Sequence, residues 1–597
     1  MQTNYWSSVL SRREVSRRQL LARSGGVAFG GLALSLAGCG SDGGKDTPSS
    51  SLLGKAEDTT KEAKPGGTWP SSYAEDVINM DPILNNASPT FTQLLPVYSQ
   101  LLKAGLSTSK RPGAESITGD AAESWEFSPD GTKITLKLRQ GMKWDPRPPT
   151  NGRVLDSGDV KWSWDKFAAV GNSGGELVRA RNPDAPVESI QVPDSRTVIL
   201  NMAFPYSSIL DLLSNYQNFY VMPRDETFNF KTDMRGSGPY TLANFRASGG
   251  ATYKKNPDYY DKPRPYFDVL ERTLISDYAQ RLAQFKSKNI WNFWDTNNLR
   301  QEDVLPTRRE LPGVLMLANR GVEANARFTN FSKRDDSVFK DVRIRRALSM
   351  MIERDLIVET FYNVKEFKDA GLPVQLYWHS HLAAGLSEWL DPKGNALGEG
   401  AKYFQHNPAE AKKLVEAAAG KTPVSAPFGY FADRAFDEAK TNEVLGAMMS
   451  EGGIFNIQMD ALLYDSSWRI ARQSAGMGFT GLVAHRAAIL SADVILTQKY
   501  TPNGRNSVST KATPGVTDLV LKQKKEFDAK KRADIIHEIQ KQLAMEWPDI
   551  SWPGTAPGFT LRWPWLANDG VFIEGNQTAR AYTYAWYDER KRKAESS

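Results

Sequence analysis

The chain has 597 residues, 40% apolar and 24% charged, with 46 Gly and 33 Pro, a balance that excludes a mainly disordered chain and a polytopic membrane protein. One cysteine, Cys39, excludes a disulfide scaffold, an iron–sulfur cluster and a multi-cysteine zinc site, and five histidines leave little for a histidine-rich metal centre. The net charge of +6 is concentrated at the start: residues 1–38 hold five Arg and one acid, and the rest carries 70 Lys and Arg against 68 Asp and Glu. A nearly neutral body has no electrostatic reason to seek nucleic acid.

In chain order, a basic stretch ends at Arg23 and an apolar run follows from Val27 to Ala37, too short to span a bilayer and shaped like a signal-peptide core. Ser16-Arg17-Arg18-Gln19-Leu20-Leu21 resembles a twin-arginine export signal through Arg17 and Arg18, and Leu36-Ala37-Gly38-Cys39 resembles a bacterial lipobox with Cys39 as the acylated residue. The alternative is a general secretory signal with a chance Cys. The stretch 40–66, rich in Gly, Ser, Thr, Lys and Glu, reads as a solvated tether.

Ser128-Pro129-Asp130-Gly131 is a turn, because Pro presets φ and Gly accepts positive φ. It feeds Lys133–Leu138, a period-2 strand with Ile134, Leu136 and Leu138 inward, and Trp125 and Phe127 belong to the inner face of the partner strand. Pro193-Asp194-Ser195-Arg196 is a second turn before a strand with Val198, Leu200 and Met202 inward. Later the period lengthens: Asp341 caps a helix carrying Ile344, Leu348, Met351 and Ile352 on one face. Ala409–Ala419 is a short helix stopped by Gly420, and Ile535, Ile536, Ile539 and Leu543 define another that ends before Pro548. No repeat of 20–50 residues argues for a solenoid or propeller.

Several blocks, in order, resemble the extracytoplasmic solute-binding proteins of family 5, the peptide/nickel-type ABC importers. They are Met80-Asp81-Pro82 with Val97-Tyr98; Ala122 to Gly131 with Leu138 to Trp144; Asp159-Val160 with Ser163; Gly236 to Tyr240; Asn256 to Tyr260; and Asp341 to Leu348 with Ile352-Glu353-Arg354. Most of these residues read as structural: Gly238-Pro239 shapes a turn, Asp81-Pro82 a loop, and Arg343 and Arg346 pair with acids.

The resemblance implies an α/β, two-lobed periplasmic-binding-protein-like fold of type II, the large three-subdomain variety, with a hinge and an interlobe ligand cleft. The expected division is 1–38 signal peptide, 39–66 lipidated Cys and tether, 67–110 lobe I, 111–225 a β-rich subdomain inserted in lobe I, 226–322 lobe I again, 323–552 lobe II and 553–597 a final part of lobe I. It also implies no enzyme activity and no cofactor. The partners it implies are a small solute (peptide or oligosaccharide), ABC permease transmembrane subunits and a membrane reached through the lipid anchor, with the protein a monomer.

For the solute, Asp433 in Tyr430-Phe431-Ala432-Asp433 falls about where peptide-binding relatives place the acid that holds a peptide ammonium, although the surrounding pattern differs and the alternative is a surface acid in Asp433-Arg434-Ala435-Phe436-Asp437-Glu438. The family's Gly-Trp block is replaced here by Gly481-Leu482-Val483-Ala484-His485-Arg486, and its lobe-one Gly and Asp by Lys288 to Asp295. The candidate cleft residues are therefore Asn85, Asn86, Trp294, Asp433, Trp468, His485 and Arg486. For the two Trp the alternative is core, although indole faces also stack on sugars, cations and rings. His379-Ser380-His381 lacks an acid or Cys to complete a metal set. No P-loop, dinucleotide fingerprint or nucleophile elbow is present. A carboxylate-dependent glycosidase and a sensory receptor without a transport role are the competing classes, and the basic run Arg590 to Lys593 reads as a solvated tail.

Overall fold

The computed structural model describes residues 57–596 except 78, 85–87, 110–111, 113–115, 226, 294–298, 319–324, 333, 373, 433–435, 464–466, 468–478, 489–490, 503, 505, 508–512, 514 and 575–576. The export signal and Cys39 lie outside these residues.

The alternating stretch forms an antiparallel sheet in the order Ala122–Phe127, Lys133–Leu138, Thr197–Met202, Val187–Asp194. Ile134 pairs with Leu200 and Leu136 with Val198, and all four side chains are fully buried on one face. Trp125 and Phe127 pair with Leu136 and Ile134 and pack at the margin of the same core. Gly131 takes φ +68, and the Asp130 carboxylate accepts from the Ser128 hydroxyl and the Thr132 backbone, which holds it down to about 2. The helix Ser157–Val170 covers this sheet. Asp156 and Asp159 form its capping box, and Asp159 also accepts from the Trp144 indole at 3.0 Å and from Arg153. A buried indole N–H needs an acceptor, so the Trp144 and Asp159 motifs meet for structural reasons.

A second sheet runs Thr68–Tyr73, Val269–Leu274, Gly250–Lys255, Tyr240–Arg246, with only its first pair parallel. The Gly236-Ser237-Gly238 motif closes against its neighbour: Gly238 N donates to the Val97 carbonyl at 2.7 Å, and a Cβ on Gly236 would stand 1.8 Å from that oxygen. The third sheet has five strands, Phe455–Leu462, Val424–Phe431, Leu482–Ala488, Asn325–Phe331 and Asp549–Ser551, parallel in its first two pairs and antiparallel in the others.

The capped helix runs Val342–Met350, so Met351 and Ile352 lie just beyond it, still buried. Arg343 pairs with Asp341 at 2.6 Å. Arg346 corrects the expectation of an acid: its Nε donates to the Met545 carbonyl, while Arg345 donates to the carbonyls of Glu546 and Trp547. Both arginines therefore satisfy the orphan carbonyls ending the helix Ala529–Glu546.

Residues 57–66 are not free chain where they are described. Thr59 bonds to Asn568, the Trp586 indole donates to Thr59, and Arg590 reaches Glu62 at 2.8 Å. Arg590 to Lys593 sit in the helix Glu589–Ser596 rather than in an unstructured tail. The C-terminal segment also supplies Arg580, buried on Asp120 at 2.7 Å, where the Tyr260 hydroxyl and the Gln100 amide converge. Among the described residues no helix is long and apolar enough to cross a membrane.

Candidate functional site

A cavity of 380 Å³ lies between the segment Asn172–Ala185 of the β-rich region and the helix Ala492–Tyr500 with the residues that follow it. Ser491 caps that helix by accepting from Val494 N, and eight of its nine residues are buried. One wall of the cavity therefore stands on a helix packed from all sides. The rim reaches the opening loop. Asn172 donates to the Leu84 carbonyl, its N–H bonds to Ile83 at 3.0 Å, and Asp81 accepts from Ile83 N and Leu84 N.

Hydrogen bonds cross from one wall to the other. The Tyr206 hydroxyl donates to Asp493 at 2.6 Å, and Gln523 donates to the other oxygen of that fully buried carboxylate. Burial, and then the Asp493 charge, push the Tyr206 phenol well above its ordinary value. Gln498 donates to Glu176 at 3.0 Å and accepts from Asn506, while Ser207 N–H bonds to the Lys524 carbonyl at 2.7 Å. Phe527 meets Phe127 edge-on at 5.8 Å. Such contacts hold two walls together around a polar space, and its volume suits a small molecule.

Asn85, Asn86, Trp294, Asp433 and Trp468 lie outside the described residues, although Leu84 places the chain at the rim just before Asn85. Arg486 has its backbone in the strand Leu482–Ala488, paired with Arg327, and its side chain lies outside the description. His485 is 3% exposed, its ring stacks on Phe328 at 4.7 Å, and it lines a small gap with Arg327, Thr329 and Asn442. The cavity wall at Tyr206, Thr497, Gln498 and Lys524 was not foreseen. These are isolated polar residues in apolar runs and carry no motif.

His379 and His381 do not act together. His379 Nδ1 accepts from Ala384 N, whereas His381 faces Asp549 at 3.6 Å. Asp549 also takes Lys499 at 3.0 Å and the Tyr500 hydroxyl at 2.9 Å. Burial alone would raise the Asp549 carboxyl, yet Lys499 and His381 hold it well below the ordinary range. Among the described residues no group of three His, Cys, Asp or Glu is placed to hold a metal ion.

Residues 116–501 match the model for bacterial extracellular solute-binding proteins, family 5. The chain belongs to this family. A putative ABC transporter peptide-binding protein of Brucella ovis is 27% identical over 257 residues, which is 42% of this chain and 45% of that one. The chain thus spans less than half the length of that curated relative. Among solved structures, DppA of Helicobacter pylori in complex with the peptide STSA superposes with a TM-score of 0.69 at 15% identity, over 88% of this chain and 99% of that one. AgaA of A. tumefacien R10 in complex with agropinic acid gives 0.67 at 20% identity, over 87% and 99%. The family-5 fold is accordingly the two-lobed α/β fold of periplasmic binding proteins. The family and these neighbours are solute-binding proteins, so the glycosidase alternative falls.

Proposed function

We propose that this family-5 protein is the solute-capturing component of an ABC importer. It is exported through Arg17 and Arg18, anchored outside the cytoplasmic membrane by lipid on Cys39, and works as a monomer. The chain divides as the resemblance implies, with the lipidated Cys and tether at 39–66, lobe I at 67–110, 226–322 and 553–597, the β-rich part at 111–225 and lobe II at 323–552. A peptide-class solute enters between the lobes, where Asn85, Asn86, Trp294, Asp433, Trp468, His485 and Arg486 are the proposed contacts. The observation that carries this reading is the polar cavity bridged from wall to wall, in a chain whose family match spans residues 116–501.

The mechanism is a shift of population. The open form binds on one wall, the second wall adds contacts, and the closed form is stabilised by that difference alone. Closing brings Tyr206 to Asp493 and Gln498 to Glu176, and the closed surface is what the permease meets. A second reading, a non-peptide acid, is supported by the agropinic acid held by AgaA.

Native mass spectrometry of the protein as its host produces it, followed by denaturation, tests the proposal. The expected result is one small molecule per chain, a peptide mixture in the first reading or a single acid in the second. A protein that arrives empty and melts at the same temperature with peptide and acid panels would overturn both.

A further inference from the structure

The two walls of the cavity also meet outside it, at residues 524–527 between the helices Thr517–Gln523 and Ala529–Glu546. Phe527 is 49% exposed, yet its ring meets Phe127 edge-on, with 5.8 Å between centroids and 79° between planes. The same ring lies against the turn Ser128-Pro129-Asp130-Gly131. A Cβ on Gly131 would stand 3.1 Å from it and 3.3 Å from Pro205, so the glycine that gives the turn its positive φ also leaves room for Phe527. Beside the ring, the Lys524 carbonyl accepts from the Ser207 amide at 2.7 Å and from its hydroxyl at 3.0 Å. The Lys525 ammonium stands 5.8 Å from the centre of the Phe204 ring. The residues lining the cavity do not include Phe127, Phe204, Ser207, Lys525 or Phe527.

The segment that presents this ring is fixed at both ends. Lys525 N and Glu526 N donate to the carbonyls of Lys522 and Gln523, and Glu526 accepts from Asp528 N at 2.8 Å. Asp528 caps the next helix by accepting from Lys531 N. Gln523 donates to Asp493, which ties the segment to the helix Ala492–Tyr500 that walls the cavity. About half of the Phe527 ring stays in water, so the area it shares with the β-rich region is small, and so is the free energy of breaking that contact.

We infer that residues 524–527 are a latch, which grips the β-rich region through Phe527 and the Lys524 carbonyl and favours the closed form whether or not solute is present. This inference rests on the reading that the cavity walls part when solute leaves, and it adds a contact outside the cavity that sets how far the empty protein is already closed. A contact made only in the closed form multiplies the ratio of closed to open by a fixed factor, and the apparent affinity for any solute changes by no more than that factor. For an edge-to-face aromatic pair the factor is about two to ten.

The test uses the full chain freed of captured solute, as wild type, F527A, S207A and V338A, the last removing an exposed apolar side chain elsewhere. Hydrogen exchange is read at 172–185 and 492–500, which lie outside the latch, and at 204–209 and 523–527 within it. The inference predicts that all four segments exchange about two- to tenfold faster in empty F527A than in empty wild type, with V338A and the strand Lys133–Leu138 unchanged. S207A moves in the same direction and decides the matter if F527A fails to fold. With the extract released from wild-type protein by denaturation, F527A regains wild-type protection at saturation but needs about two- to tenfold more extract to reach it.

Faster exchange confined to 204–209 and 523–527 would make the contact a local one and overturn the inference. Equal exchange in all four proteins when empty, with wild type still gaining protection from the extract, would overturn the latch and leave closure on solute standing. Faster exchange of F527A at 172–185 and 492–500, with no response of wild type to the extract, would support the latch and remove the solute reading of the cavity.

Discussion

The antiparallel sheet at residues 122–202 and the five-stranded sheet at 325–551 are built on different terms. In the first, alternate residues such as Ile134, Leu136, Val198 and Leu200 are buried while Lys133 and Lys137 point outward, toward or partly into water. In the second, Leu482, Val483, Ala484 and His485 are buried one after another, and Asp549 and Ile550 open the edge strand buried as well. A sheet with one wet face rests on apolar transfer, which is indifferent to pH. Where a sheet buries a charged group it must satisfy that group internally, and in the second sheet Lys499, Tyr500 and His381 surround Asp549. The lesson is that the two regions fail differently under mutation and under acid.

The largest expected effect is Asp549→Asn. It leaves Lys499 buried without its counter-charge and should cost about 3–5 kcal/mol in urea unfolding. Leu136→Ala in the antiparallel sheet should cost about 3 kcal/mol by the same measurement, with the same loss at pH 5 and pH 8, since no charge is involved. Asp341→Ala removes the cap that accepts from Arg343 N and should cost about 1 kcal/mol.

The smallest effect at neutral pH, and the sharpest discriminator, is His381→Gln. Burial first, against the opposing pull of Asp549, lowers the His381 imidazole from its ordinary 6.5, with Lys499 and Arg354 adding to the depression. The native state therefore keeps it neutral while the unfolded chain takes up a proton below about 6.5. Its contribution is complete above that pH and is lost as pH falls toward the lowered native value. His381→Gln should flatten that part of the stability curve between pH 7 and pH 5; an unchanged slope would remove His381 from the account.

The same contrast explains what was legible beforehand. The turn at Ser128–Gly131, the strand at Lys133–Leu138 and the inward set Val198, Leu200 and Met202 could be read directly, because period-2 alternation and turn chemistry are local signals. The caps at Asp341 and Gly420 were legible for the same reason. The strand beginning Leu482-Val483-Ala484-His485 was not, since a run buried at every residue shows no alternation. Arg346 was read as an acid partner because a helix terminus 199 residues away supplies carbonyls that no spacing rule reveals. The cavity wall escaped notice because Tyr206, Gln498 and Lys524 are brought together only by the fold, across up to 318 positions in sequence.

The central claim is that the contacts between the β-rich region and the helix Ala492–Tyr500 are those of a form closed on solute. Hydrogen exchange on the protein, before and after its captured solute is removed and then restored, tests this directly. The account predicts that amides in 172–185, 206–209 and 492–500 lose protection together on removal and regain it on return, with Lys133–Leu138 unchanged. Protection at those segments that is the same with and without solute would contradict it.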